Sequence, residues 1–190
     1  MTNALGAAKM PALRISIAVL ALVAALLAVS TAAQAETPGG VSTTTPEAQT
    51  PTAPPGKAII VRGRAIAPAD APAAVKKVIA AANKIRTKPY IYGGGHGRWW
   101  DAGYDCSGAV SFALHGGSLI DTPMPSGSLA GWGSGGKGRW ITVYANGGHA
   151  YAVIAGVRWD TSGNEGETGP RWHTDLRDNV GFAARHPAGY

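Results

Sequence analysis

The sequence predicts an α+β fold in which helices come first along the chain and an antiparallel sheet follows. Two stretches within residues 70–116 repeat apolar side chains at helical spacing, whereas residues 140–161 contain short runs rich in β-branched and aromatic residues. The 27 Gly and 13 Pro among 190 residues argue against a long helical bundle, because both residue types are unfavourable in helix interiors. Helices followed by a meander of strands are typical of the α+β class, here N-terminal helices packed on a small antiparallel sheet.

Residues 1–35 have the pattern of a cleaved signal peptide. Lys9 and Arg14 precede an uncharged, mostly apolar run over residues 15–29, and residues 33–35 read Ala-Gln-Ala, an A-x-A cleavage site. An uncleaved membrane anchor is the alternative, but this apolar run is shorter than the roughly 20 residues that a spanning helix needs. We therefore expect an exported, secreted chain that keeps no stable membrane anchor after cleavage.

Residues 36–57 predict a linker, and residues 58–190 predict one folded domain. The linker is mostly Thr, Pro, Gly and Ala, with almost no large apolar side chain to offset the entropy of ordering, so we expect a disordered or extended stalk. The apolar stretch 58–61 fits either an edge strand or the end of this tether. Removal of residues 1–35 takes away two positive charges and no negative ones, which leaves 15 Lys+Arg against 11 Asp+Glu, or +4. This mildly basic balance suits either weak attraction to an anionic cell wall or membrane surface, or solubility alone. We expect no nucleic-acid partner, because no basic cluster interleaved with aromatic residues occurs.

Residues 70–86 predict the first helix of the domain. Asp70 is placed to act as its N-cap, with a proline two residues later. Apolar residues then recur at helical spacing, namely Val75, Val78, Ile79, Ala82 and Ile85. Lys88-Pro89 ends the pattern, because the residue before a proline disfavours helical backbone. The glycine-rich stretch 93–97 lacks the Gly-Lys-Ser/Thr of a phosphate-binding loop, so we interpret it as a turn.

The single cysteine, Cys106, falls in the first turn of a second predicted helix. This helix has one apolar face and ends at Gly116-Gly117. One cysteine excludes an intramolecular disulfide and a multi-thiolate zinc site. The positive end of a helix dipole favours a thiolate, and the free backbone N–H groups there can hold a developing oxyanion. Cys106 is therefore either a candidate nucleophile or a small buried apolar residue.

Three strands are predicted in the second half of the chain. Residues 140–145 precede Asn146-Gly147, a strong hairpin-turn signal, and residues 148–154 form the return strand. Gly156 turns the chain again into a strand over residues 157–161. A further strand near residues 181–185 would close the sheet.

His149 is the candidate general base by strand geometry. If the second hairpin turns on Ala155-Gly156, His149 lies diagonally from Asp160 on the same face of the sheet, about 7–8 Å away at the backbone. An aspartate there could hold the orientation and tautomer of the imidazole. A slip of one residue would move Asp160 to the other face, and His173 is then the reserve for the third position. The other histidines lack metal-ligand spacing, so we expect no metal site and no organic cofactor.

Three motifs resemble those of the NlpC-type cell-wall cysteine peptidases, a papain-like family. They are Pro89-Tyr90-Ile91-Tyr92-Gly93-Gly94, Asp105-Cys106-Ser107-Gly108 and Gly148-His149-Ala150-Tyr151-Ala152-Val153. The resemblance covers about residues 72–162. It implies a papain-like fold with the cysteine on a helix and the histidine on the following sheet. It also implies hydrolysis of amide bonds in the stem peptides or cross-bridges of peptidoglycan, often between D-glutamate and a diamino acid.

The resemblance assigns catalytic roles to three residues. Cys106 matches the family's nucleophile, and His149 matches the residue that acts as general base and acid. Asp160 stands where the family's third polar residue, often a histidine, would fall. Together these residues would form a thiol-based triad.

The resemblance also indicates how substrate would be bound. Tyr90 matches a tyrosine that lines the active site in the family. Asp105 and Ser107 match positions that hold a free amino terminus of the stem peptide in some members. A carboxylate and a hydroxyl that flank the nucleophile suit an ammonium group chemically.

The sequence departs from the family's common pattern at two places. Residues 150–152 replace an aliphatic run after the histidine, and residues 138–140 replace a Pro-Gly-Asp block before it. Two alternatives stand beside the peptidase: a non-catalytic wall-binding domain that retains a papain-like fold, and a cysteine amidase or acyltransferase with another substrate. For the peptidase we expect a monomer that acts on peptidoglycan stem peptides.

Overall fold

The computed structural model describes residues 51–163 and 169–190, all of which lie within one compact unit, Pro46–Tyr190. The predicted signal peptide, residues 1–35, and residues 36–50 of the predicted linker lie outside the described residues. Within the two described ranges, none of the helices has the length and apolar character that crossing a bilayer requires.

The first helix, α1 (Ala73–Ile85), is shorter at its N-terminus than the sequence pattern indicates. The prediction of Asp70 as its N-cap is wrong, because Pro72 occupies that position and makes no side-chain cap. A residue that precedes proline disfavours helical backbone, so Ala71 is kept out of the helix. The Asp70 carboxylate instead accepts the backbone N–H of Gly56, at 2.9 and 3.1 Å. This contact ties the end of the predicted linker to the domain.

The second helix, α2 (Cys106–Gly116), forms as predicted and packs against α1. Residues 106–114 are all buried, so this helix runs through the core with no polar face in contact with solvent. The two helices approach so closely at Gly116 that a side chain there would collide with Ala81 of α1. Gly117 ends α2, and a one-turn helix, α3 (Ser126–Leu129), follows.

The strands form a two-stranded hairpin and a six-stranded antiparallel sheet. The hairpin consists of β1 (Ile59–Val61) and β2 (Arg64–Ile66). The larger sheet contains, in chain order, β3 (Ser134–Gly135), β4 (Ile141–Ala145), β5 (Ala150–Ile154), β6 (Val157–Asp160), β7 (Arg171–His173) and β8 (Ala183–His186). Their order across the sheet is β3-β8-β4-β5-β6-β7, so strand β8 lies inside the sheet.

The predicted combination of helices with antiparallel sheets is confirmed, but helices do not come first, because the β1–β2 hairpin precedes α1. Strands β4, β5, β6 and β8 overlap the predicted runs, and residues 58–61 contain a strand rather than an extension of the tether. Strands β2, β3 and β7 were not predicted. Each has only two or three residues, too few to show an alternating pattern, and tertiary pairing decides their conformation.

The hairpin between β4 and β5 turns one residue later than Asn146-Gly147 suggests. Ala145 pairs with Ala150, whereas a two-residue loop at Asn146-Gly147 would pair Ala145 with Gly148. The Asn146 side chain accepts the backbone N–H groups of Gly148 and His149, each at 2.9 Å. Asn146 therefore stabilises the turn from its edge and holds the backbone of His149.

Two buried indoles attach the helices to one face of the sheet. Trp159 and Trp172 are paired across β6 and β7, so their side chains share a face. The Trp159 indole N–H donates to the carbonyl of Ala109 in α2 at 3.1 Å, and that of Trp172 donates to the Asn83 side chain in α1 at 3.0 Å. Because side chains alternate along a strand, Asp160 points to the opposite face from Trp159.

Candidate active site

Cys106 is the first residue of α2 and has a free thiol. The preceding Asp105 is the N-cap, and its carboxylate accepts the backbone N–H of Gly108 at 2.7 Å. Burial alone would raise the pKa of the thiol. Hydrogen bonds from the His149 imidazole and the Ala150 backbone N–H outweigh that effect and bring the pKa of Cys106 below its ordinary value. The site therefore favours the thiolate.

His149 immediately precedes β5 and joins the thiol to a carboxylate. Its Nε2 lies 2.9 Å from Oδ1 of Asp160, and the imidazole lies close enough to Cys106 for each group to shift the pKa of the other. An ionised carboxylate can only accept, so Nε2 carries the proton, and Nδ1 is the nitrogen left for the thiol. Burial opposes the charged ring, but the hydrogen bonds to Asp160 and Cys106 raise the pKa of His149 to about 9. The lowered pKa of the thiol and the raised pKa of the imidazole both favour proton transfer from Cys106 to His149.

The register of β5 and β6 brings His149 and Asp160 together as expected from the turn. Ile154 pairs with Val157, which leaves Ala155 and Gly156 as the two loop residues. Both have positive φ, 47° and 78°, as the tight turns that suit twisted strands require. The prediction that His149 lies on the same face as Asp160 is confirmed by the contact of their side chains.

Asp160 is buried and holds a negative charge among four donors. Its Oδ1 accepts the imidazole of His149 and the backbone N–H of Ser162, and its Oδ2 accepts Arg158 at 2.7 Å and Arg177 at 3.1 Å. Burial alone would raise the pKa of the carboxyl. The hydrogen bonds and charges of His149 and Arg158, with the Ser162 N–H, reverse this and lower the pKa below its ordinary value. Asp160 is therefore ionised and fixed in orientation.

His173, the reserve for the third position, lies on β7, which is separated by β6 from the strand that His149 precedes. It pairs with Arg158 across β6 and β7 and is buried. Its Nδ1 lies 4.0 Å from Oδ1 of Asp175. Burial, reinforced by the charge of Arg158, lowers the pKa of His173. Of the two candidates, Asp160 is the residue whose side chain contacts His149.

Cys106 opens onto a cavity of about 690 Å³. The other side chains expected to bind substrate, Tyr90, Asp105 and Ser107, also line it. Tyr90 is 38% exposed. Partial burial raises the pKa of its hydroxyl, and the neighbouring Cys106 and Asp105 add to the increase. The Tyr90 hydroxyl therefore stays protonated and can donate a hydrogen bond next to the thiol.

His96 is a cavity residue that the sequence reasoning did not select. Its Nε2 lies 3.0 Å from Oδ1 of Asp105 and 3.1 Å from Oγ of Ser107. The other carboxylate oxygen of Asp105 accepts the backbone N–H of Gly93 at 3.1 Å. Asp105 thus connects the start of α2 to the glycine-rich turn and holds a second imidazole at the cavity. Metal-ligand spacing was the wrong criterion for His96, since its partners are a carboxylate and a hydroxyl beside the cysteine.

Acidic, histidine and cysteine side chains do not gather into a metal site in the part of the chain that the structure describes. The cluster at Cys106 instead provides a thiol of lowered pKa, an imidazole of raised pKa and an oriented carboxylate in series. Such a series can carry out nucleophilic attack on a carbonyl group and proton transfer to a leaving group.

Comparison with known proteins found a likeness only to solved structures. No family model matches the chain, and no curated protein sequence does. Two matching structures are of the resuscitation promoting factor interacting protein RipA, one mutated at a glutamate and the other at a cysteine. The first is 20% identical with a TM-score of 0.45, and the match covers 59% of this chain and 61% of that chain.

The second RipA structure is 20% identical with a TM-score of 0.44, and the match covers 60% of this chain and 62% of that chain. The chain therefore spans about three fifths of the length of the RipA chains that it matches. At this level of similarity, nothing about activity transfers to this chain.

Proposed function

We propose that this chain is an exported, papain-like cysteine peptidase that hydrolyses amide bonds in peptidoglycan peptides in the manner of an endopeptidase. The observation that carries the proposal is the position of the His149 imidazole, which bonds to the buried Asp160 carboxylate at 2.9 Å and lies close enough to Cys106 for each group to shift the pKa of the other. A buried, unreactive cysteine would not need an imidazole held by an ionised carboxylate next to it. The motifs around Tyr90, Cys106 and His149 resemble NlpC-type peptidases, which suggests peptidoglycan peptides as the substrate.

The first half of the reaction uses the thiolate–imidazolium pair. The thiolate of Cys106 attacks the carbonyl carbon of the scissile amide and forms a C–S bond. The imidazolium of His149 gives its proton to the amide nitrogen, and the C–N bond breaks to release an amine. A thioester between the substrate's acyl group and Cys106 remains, and His149 is now neutral.

The second half restores the enzyme. Neutral His149 accepts a proton from water, whose oxygen attacks the thioester carbonyl. The C–S bond breaks, a carboxylic acid leaves, and the thiolate–imidazolium pair forms again. Asp160 stabilises the imidazolium at both stages and keeps Nε2 protonated, so that Nδ1 is the nitrogen that exchanges the proton.

The N-terminus of α2 would stabilise the oxyanion of each tetrahedral intermediate. Asp105 accepts the Gly108 N–H, whereas the intrahelical hydrogen bonds of α2 do not use the N–H groups of Cys106 and Ser107. These groups lie at the positive end of the helix dipole, where negative charge is favoured. The nucleophile and the oxyanion donors then come from the same helical turn.

The cavity walls would bind the peptide on either side of the thiol. Tyr90 and His96 line it together with Asp105, Ser107 and residues of α3. We further propose that the protein is secreted, acts as a monomer and works at the cell wall, where its basic composition would favour association with anionic polymers.

Digestion of purified peptidoglycan tests the proposal. Wild type, Cys106→Ala and His149→Gln would be incubated with it, and the new amino and carboxyl termini would be identified by mass spectrometry. His115→Gln is the matched control, because His115 lies at the other end of α2 and bonds to the carbonyl of Ile120. We expect new termini with wild type and His115→Gln, and none with the other two variants.

Each alternative gives its own result in the same experiment. Release of products by Cys106→Ala at the wild-type rate would exclude Cys106 as the nucleophile. Retention of wild type on peptidoglycan with no new termini would indicate a wall-binding domain. Products in which the new acyl end is joined to another nucleophile would indicate an acyltransferase.

A further inference from the structure

The Asp160 carboxylate binds more than the histidine, because two guanidinium groups share its second oxygen. Arg158 and Arg177 both donate through Nη1 to Oδ2, at 2.7 and 3.1 Å. His149 occupies Oδ1. The four side chains therefore form a series in which one buried negative charge lies between an imidazole and two fixed positive charges.

The two arginines have different surroundings. Arg158 is 3% exposed and is also bound to the carboxylate and carbonyl of Asp175 and to the carbonyl of Ser162, so it is part of the core of this face. The Arg177 side chain is 34% exposed. It belongs to residues 174–182, the segment between β7 and β8. The contact of Arg177 with Asp160 thus depends on where this segment lies.

Arg177 also lies over the aromatic rings beside His149. Its guanidinium carbon is 5.3 Å from the ring centre of Tyr151 and 5.6 Å from that of Phe182. These two rings lie 6.4 and 6.3 Å from the imidazole. Cation–π contacts of this length are attractive, so Arg177 has a preferred position even where it is partly exposed.

We propose that Arg177 is a positioning residue of the active site. Arg177 holds Asp160 in place and weakens the attraction of the Asp160 carboxylate for the imidazolium proton of His149. A carboxylate whose charge is shared with guanidinium groups attracts an imidazolium less strongly, and the positive charge of Arg177 repels it directly. This role of Arg177 rests on the proposed function, in which His149 is the general acid and must release its proton to the leaving amine.

Several other charged or titratable groups surround His149 and Asp160, and none of them is substituted in the test. They are Cys106 on α2, Tyr151 on β5, Arg158 on β6, His173 on β7 and Asp175 in the 174–182 segment. Unlike these groups, Arg177 combines partial exposure with a direct side-chain contact to Asp160. It can therefore be changed with little effect on the core.

The test follows the imidazole Cε1–H resonance of His149 by NMR as the pH is raised, and assigns it by its loss in His149→Asn. Wild type would be compared with Arg177→Gln and Arg177→Lys. Arg139→Gln is the matched control, because Arg139 is exposed and lies 5.5 Å from the Trp140 ring centre in a similar cation–π contact. The midpoint should rise by roughly half a pH unit to one unit in Arg177→Gln, since a partly exposed charge is screened by solvent. Arg177→Lys and Arg139→Gln should stay near wild type.

This measurement needs no substrate. Failure to cleave peptidoglycan would overturn the proposed function and leave this inference standing, whereas a wild-type midpoint in folded Arg177→Gln would overturn the inference alone. Arg177→Met, which keeps an apolar stem over the two rings, replaces the glutamine variant if the latter gives no cooperative melting curve. If peptide cleavage is observed, the alkaline limb of kcat/KM should move upward with the NMR midpoint.

Discussion

Replacement of Asp160 by asparagine removes the negative charge beside His149 and keeps the volume of the side chain. The pKa of His149 is about 9, against 6.5 for an ordinary imidazole, and this difference favours the charged ring by about 3 kcal/mol. The increase arises against burial, through hydrogen bonds and charges of both Asp160 and Cys106. Because Cys106 shares the effect and solvent screens a ring that is partly exposed, we assign about 1–2 kcal/mol to Asp160.

This energy sets the size of the expected change. The pKa of His149 should fall by about one unit in Asp160→Asn, and the alkaline limb of kcat/KM should move down by the same amount. Weaker stabilisation of the imidazolium should lower kcat/KM at neutral pH by roughly 5- to 30-fold. An asparagine can also donate to Nε2 and favour the other tautomer, so this decrease is a lower bound.

The assay measures the rate of release of new termini from peptidoglycan against pH, with a melting curve for each variant. Asp175→Asn is the matched control, because the Asp175 carboxylate also bonds to Arg158, at 2.8 Å, but is 70% exposed and does not contact His149. Its alkaline limb should coincide with that of wild type. If folded Asp160→Asn keeps both the rate and the alkaline limb of wild type, Asp160 does not act on His149 and the reasoning fails.

Two further predictions concern stability. Gly108→Ala should lower the free energy of unfolding by about 1–3 kcal/mol in chemical denaturation, because a Cβ there would collide with the carbonyl of Gly94. Gly97→Ala is the control, since Gly97 has open space around it. Equal losses of stability in the two variants would contradict this prediction. The folded-state pKa of His149, about 9, lies above its ordinary value of 6.5, so its contribution to stability is fully present below pH 6.5 and is lost as the pH rises through 9. Between these values Tm should fall more steeply for wild type than for His149→Gln, and parallel curves would show that His149 gains no proton affinity on folding.

The contact between His149 and Asp160 could be predicted because it depends on one short turn. Gly156 marks the turn in the sequence, and a two-residue loop leaves a single register for β5 and β6. Ala155 carries no such signal, since alanine rarely adopts its φ of 47°. The position of Cys106 was equally local, because Asp105 is a good N-cap and the apolar pattern starts directly after it.

The residues that surround Cys106, His149 and Asp160 could not be predicted in the same way. His96 meets Asp105 through the backbone path of the glycine-rich turn, in which Gly93 and Gly95 have positive φ, and no periodic pattern encodes that path. Arg177 reaches Asp160 from a segment with no regular structure. The position of that segment is determined by long-range ion pairs and aromatic contacts, which depend on the rest of the fold being in place.

The interior location of β8 has a consequence for the order in which the molecule is assembled. β8 pairs with both β3 and β4, although it follows both of them in the chain, and Arg177 lies in the segment that leads into it. A chain that has been synthesised only as far as β6 contains Cys106, His149 and Asp160 but lacks the strand that joins β3 to β4. We therefore expect full reactivity of the thiol to appear late, after residues 174–186 have joined the sheet.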